Sequence, residues 1–130
     1  MKQLIVETDL YVLENDSSKN RAYLTFTGFC SKASDMPNYL DDVKKTAQGM
    51  KKGFTLLTDV TKIKTPPEEV EELHVQSQQI WIESGLSKTA EILPASSVAK
   101  LALDRWSKTT GMVKEWFDNK DAAEAWLDGE

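Results

Sequence analysis

Residues 3–13, QLIVETDLYVL, alternate after a short apolar start, with Leu4, Val6, Leu10 and Val12 on one parity. A period of two belongs to a strand, so one strand is predicted here. A polar loop, ENDSSKN (14–20), follows, and RAYLTFT (21–27) alternates again with Ala22, Leu24 and Phe26 on one face. Two such runs across a short polar loop predict an antiparallel pair. Beyond Gly28 the period changes. Met36, Leu40, Val43, Ala47 and Met50 are spaced four, three, four and three. That spacing draws one stripe on a helix, capped by Ser34 or Asp35 and running to about Lys51.

Strand and helix then alternate. GFTLLTDV (53–60) reads as the third strand. A helix from Pro66 to Ser84 turns Val70, Leu73, Ser77, Ile80 and Trp81 inward. KTAEIL (88–93) is the fourth strand. A helix from Ser97 to Thr109 carries Ala99, Ala102, Leu103 and Trp106 on one side. MVKEWF (112–117) is the fifth strand, and NKDAAEAWL (119–127) closes the chain as a helix with Ala122, Ala123, Trp126 and Leu127 inward. Gly53, Gly85 and Gly111 each fall between a helix and the next strand, where a left-handed residue ends a helix at little steric cost. Alternating strands and helices need crossovers, hence parallel strands, and right-handed crossovers in sequential order put the helices largely on one face. The expected fold is α/β: a five-stranded, mixed, mostly parallel sheet with its first strand antiparallel at the edge, and four helices.

Composition narrows the function classes. A chain of 130 residues is expected to form one domain, residues 1–130. A net charge of −5 argues against nucleic acid, which needs a concentrated basic surface. Cys30 and His74 are the only cysteine and histidine, so no internal disulfide forms and no multi-cysteine zinc pattern applies. No cofactor is implied. The N-terminal apolar run is too short for a signal peptide, and no window reaches membrane-spanning length, so a cytoplasmic protein without a membrane span is expected.

The order of elements, with certain residues, resembles the STAS domain, the fold of the anti-sigma-factor antagonists. AYLTFTGFCSKASDMPNYLDDV is similar to that family's strand–glycine–helix opening, with Gly28 at the glycine. FTLLTDVTKI looks like its central strand ending in Asp–x–Ser/Thr, here Asp59 and Thr61. VKEWFDNKDAAEAWL is similar to the ending of the broader SpoIIAA-like group. The resemblance spans about residues 3–128. It implies a regulatory or protein-interaction domain. It also leaves open a carrier role, since the SpoIIAA-like group includes relatives of lipid-transfer domains.

In antagonist-type members a serine at the start of the second helix is phosphorylated to control partner binding. A helix N-terminus suits a phosphate. Counted on from Asp59, that Asp–Ser pair falls here at Pro67–Glu68, which cannot be phosphorylated. Thr65–Pro66–Pro67–Glu68 reads instead as a capping box, with the Thr65 hydroxyl on the Glu68 N–H. Glu68, Glu69, Glu71 and Glu72 then favour the positive end of the helix.

Asp59 and Thr61 lie at the carboxyl end of a parallel strand, where α/β ligands bind, although Asp59 can equally satisfy turn amides. His74 reads as a packed or surface residue and Ser96–Ser97 as a helix cap. Trp106 is a core candidate with Arg105 solvated, and Cys30 reads as a small, partly buried residue. No glycine-rich phosphate loop, nucleophile set or metal pattern is present. The expectation is therefore a non-enzymatic interaction domain with an unidentified protein partner. Its surface would comprise Asp59, Thr61, Thr65, Glu68, Glu69 and Glu72 with the loop 29–36. The alternative is a carrier of a lipid or small apolar ligand, in a cavity lined by Val70, Leu73, Trp81, Leu103 and Trp106. A homodimer is compatible with either, and no pocket of convergent polar groups is expected.

Overall fold

The computed structural model describes residues 2–129. Among them lie six strands, β1 (Gln3–Glu7), β2 (Tyr11–Asp16), β3 (Arg21–Phe26), β4 (Thr55–Asp59), β5 (Lys88–Ile92) and β6 (Lys114–Phe117). Four α-helices accompany them: α1 (Tyr39–Gln48), α2 (Glu68–Glu83), α3 (Ser97–Thr110) and α4 (Lys120–Leu127). The strands form one sheet in chain order, β1-β2-β3-β4-β5-β6. The first two pairings are antiparallel and the last three parallel.

The sheet thus has six strands, not five, because residues 3–13 fold back on themselves. The Thr8 hydroxyl oxygen accepts from the N–H groups of Leu10 and Tyr11, each at 3.1 Å, and makes a turn in mid-run. Such local bonds compete with continued strand. The turn resets the parity. Leu4 is 54% exposed, whereas Tyr11 and Leu13 are buried against the helices.

Helices α1, α2 and α3 cover one face. Leu13, Ala22, Leu24 and Leu56 meet Tyr39, Val43, Val70, Trp81, Leu103 and Trp106 there. The closing helix α4 covers the opposite face, where Ala123 and Leu127 pack on Tyr23, Leu57, Ala90 and Ile92. Strands β3 to β5 are therefore buried on both sides. Arg21 ties α4 to β3, its guanidinium donating to Glu124 and to Asp128, each at 2.7 Å.

The helix starts follow local chemistry. Pro37 holds Met36 out of the helical region (φ −127°, ψ 62°), so α1 begins at Tyr39, after a short 3-10 turn at Ala33–Asp35. Before α2 the paired prolines act likewise. The capping residue is Pro67 (φ −60°, ψ 160°), with no side-chain cap bond. The expected capping box at Thr65 is not formed. A residue before proline is driven extended, which suits a cap at Thr65 but keeps Pro66 from being the first helical residue, so the helix starts after Pro67. The first-turn amides of Val70 and Glu71 bond the Pro67 carbonyl instead, both at 3.0 Å. Ser96 does cap α3, accepting from Ala99 N–H at 3.2 Å. Gly85 (φ +106°) follows α2, and a Cβ there would come within 2.9 Å of the Lys52 Cα. Only glycine meets both demands.

Candidate functional site

The parallel strands β3 and β4 carry Asp59, the loop 29–36 and the start of α2 to the carboxyl end of the sheet. At Asp59 the carboxylate accepts from the Thr61 N–H at 3.0 Å and the Thr61 hydroxyl at 2.8 Å. These bonds close a local turn. Thr61, Thr65, Glu68, Glu69 and Glu72 are all exposed. Glu68, Glu69 and Glu72 border an open groove of about 570 Å³ between α2 and α3, together with Glu71, Arg105 and Trp106. Glu71 joins the two helices. It accepts from the Trp106 indole at 2.8 Å and pairs with the Arg105 guanidinium. Those bonds, Trp106 first, hold its carboxyl below the usual range against a smaller effect of burial.

The other side of this edge is the loop after β3. Phe29 there is 47% exposed. Cys30 is buried and its thiol donates to the Lys32 carbonyl at 3.1 Å, while burial pushes its pKa up. Phe29 and Cys30 share a small cavity of about 10 Å³ with Ile63, Lys64, Pro66, Val70 and His74. The loop 29–36 and the segment before α2 thus close on one another.

Beneath α2 and α3 lies a second cavity, of about 20 Å³. Trp81, Leu103 and Trp106 line it, as the carrier reading expected. Val70 lines only the smaller cavity, and Leu73 packs against the core without lining either. Polar groups do converge here, against expectation: Tyr39, Thr58, His74, Ser77, Gln78 and Glu91 are all on its wall. Buried as a whole, the His74 ring stacks on Trp106 at 4.8 Å and meets the edges of Phe26 and Tyr39. Burial lowers its pKa to about 4, with a small opposing pull from Glu71. It is neutral in the folded protein at neutral pH.

Glu91 and Lys114 escaped the sequence reading altogether. Lys114 Nζ lies 3.2 Å from Glu91 Oε1 and 3.0 Å from Asp104 Oδ1, under α3. Burial raises the Glu91 pKa against the pull of Lys114. At Asp104 burial is outweighed by Lys114 and by Trp116, whose indole donates to it at 2.8 Å, and its pKa is lowered. The available signal is a carboxylate inside a short strand, next to Ala90 and Ile92. Among the described residues, no group of three His, Cys, Asp or Glu side chains is placed to hold a metal ion. None of the helices described is long and apolar enough to cross a membrane.

Comparison of the chain with protein-family models, curated proteins and solved structures finds no match.

Proposed function

We propose that this chain is a non-enzymatic interaction domain of the STAS-like, SpoIIAA-like kind, working in the cytoplasm. It acts through the surface made by the loop 29–36, Asp59–Thr61 and the first turn of α2. The observation that carries this reading is the distribution of space. The cavities between sheet and helices measure about 20 and 10 Å³. Small-molecule pockets run to roughly 300–1,000 Å³. Recognition therefore falls to the outside. There Phe29 presents an exposed aromatic ring, and Glu68, Glu69 and Glu72 present carboxylates beside an open groove. An aromatic anchor with a charged rim suits a protein partner, and the carboxylates at the start of α2 favour a basic segment there, with Lys32, Lys62 and Lys64 exposed on the adjoining loops. In this reading Glu68 stands where the family's switch serine would stand. The surface keeps its negative charge permanently rather than gaining it by phosphorylation.

The carrier reading would use the space lined by Trp81, Leu103 and Trp106, which has room for about one water molecule and not for a lipid. The test is affinity capture from the native host with the wild-type chain and with a Phe29→Ser/Glu68→Lys/Glu69→Lys variant of unchanged circular dichroism. A basic protein recovered by the first and lost by the second is expected. Equal capture by both, or stoichiometric lipid in the purified protein by mass spectrometry, sinks the reading.

A further inference from the structure

We propose that the cavity beneath α2 and α3 is a built site for one water molecule, held by the side chains of Tyr39, Thr58, His74, Gln78 and Glu91. The space, about 20 Å³, is of the right size. A cavity needs roughly 10–15 Å³ on this measure to hold one water, and the water needs two to four polar partners. The wall supplies them. All five residues are at least nine-tenths buried.

Their own hydrogen bonding within the protein is incomplete. Glu91 Oε1 is buried against the Lys114 ammonium at 3.2 Å and accepts no further hydrogen bond from the described residues. The His74 ring makes aromatic contacts alone. Gln78 uses its carboxamide oxygen to accept from Thr110 at 2.8 Å, which leaves its N–H groups to donate elsewhere. The Ser77 hydroxyl is already committed to the His74 carbonyl at 2.7 Å. Thr58 brings a hydroxyl to the same wall, and so does Tyr39, whose hydroxyl already meets that of Ser77. Polar groups shut away from solvent are normally paired, with protein or with ordered water. A single water can donate to Glu91 and accept from Gln78 or from a hydroxyl, and so satisfies several of these groups at once. A small cation is the wrong occupant, because Lys114 already stands beside the carboxylate. An apolar atom is wrong as well, because it would satisfy none of these groups.

Oxygen-17 magnetic relaxation dispersion on the full chain reads out water held longer than the tumbling time. Wild type is expected to show a dispersion step. Thr58→Ile, which replaces the hydroxyl by an ethyl group, is expected to lose the part due to one water. Lys19→Ala, on the surface, is expected to lose none. Should Thr58→Ile fail to fold by circular dichroism, Ser77→Val serves as the second filler. A wild type without a step, a folded filler with an unchanged step, or binding of xenon at this cavity overturns the proposal. None of these outcomes bears on the partner-capture experiment, so the two readings stand or fall separately.

Discussion

Lys114 and Glu91 face each other at 3.2 Å from adjacent parallel strands, and their side chains are only 6% and 4% exposed. Thr89, not Glu91, is the register partner of Lys114, so the contact runs diagonally across β5 and β6 beneath α3. Burying two charges is costly unless each compensates the other. Removing one partner is far worse than removing both. Lys114→Met is therefore expected to destabilise the fold by about 3–5 kcal/mol, and the double variant Lys114→Met/Glu91→Gln to recover much of that loss. Urea denaturation of the four proteins of this cycle measures it. Equal destabilisation by the single and double variants would show that the pair is not coupled.

His74 gives the fold a dependence on pH. Its pKa is lowered to about 4 by burial, against about 6.5 in the unfolded chain. Between those values the unfolded state binds the extra proton. Stability is thus complete above about pH 6.5 and declines as pH falls toward 4, with a slope approaching ~1.4 kcal/mol per pH unit. Glu71, Asp104 and Glu124 have lowered pKa values and act at the acidic end, where their contributions are lost as pH falls through the carboxylate range. Glu91 is raised and has the opposite sign, gaining stability as it takes up its proton. His74→Phe is expected to flatten the stability profile between pH 5 and 6.5 in denaturant titrations. A variant profile parallel to wild type would contradict this.

The two helix starts make a contrast. Ser96→Ala removes a formed cap and is expected to cost about 1 kcal/mol. Thr65→Ala removes a hydroxyl without a cap bond and is expected to stay within about 0.5 kcal/mol of wild type. Chemical denaturation of both variants decides the matter, and a larger loss at Thr65 would restore the capping box.

At Gly85 the backbone is left-handed and the Lys52 Cα stands 2.9 Å from where a Cβ would sit. Gly85→Ala must bear conformational strain together with a backbone clash, and a loss of more than about 1 kcal/mol is expected in thermal or denaturant unfolding. A neutral effect would mean that the α2–β5 connection moves freely away from the residues after α1.

Much of this architecture was legible because each element keeps its own period. Val43 and Ala47, or Ala102, Leu103 and Trp106, repeat at helical spacing and are buried where that spacing puts them. Residues 3–13 misled because a turn held by the Thr8 hydroxyl and by the Thr8 N–H donating to the Tyr11 carbonyl at 2.9 Å reverses the chain while leaving alternation on both sides. Thr65 misled because a capping pattern was counted by spacing, while the restriction each proline puts on the residue before it decided where α2 begins. Among the surface candidates, Thr61 and the glutamates lie exposed and Asp59 half-buried at the carboxyl ends of the central strands, since loop and helix start follow directly from strand ends. The buried polar cavity was not legible. Glu91, His74 and Tyr39 come from β5, α2 and α1, and only the packing of α2 over the sheet brings them to one wall. Lys114 likewise reads as a charge at a strand end until β6 is set beside β5.

The sheet lists its strands in the order in which the chain makes them. Each strand after the first pairs with the strand before it in the chain, across tight turns from β1 to β3 and across helical crossovers from β3 onward. The exception is α4, which returns to β3 through Arg21 and crosses more than a hundred positions to reach Glu124 and Asp128. Without that docking the face formed by Tyr23, Leu57, Ala90 and Ile92 would stand open, and the closing helix is the latch that ends the exposure.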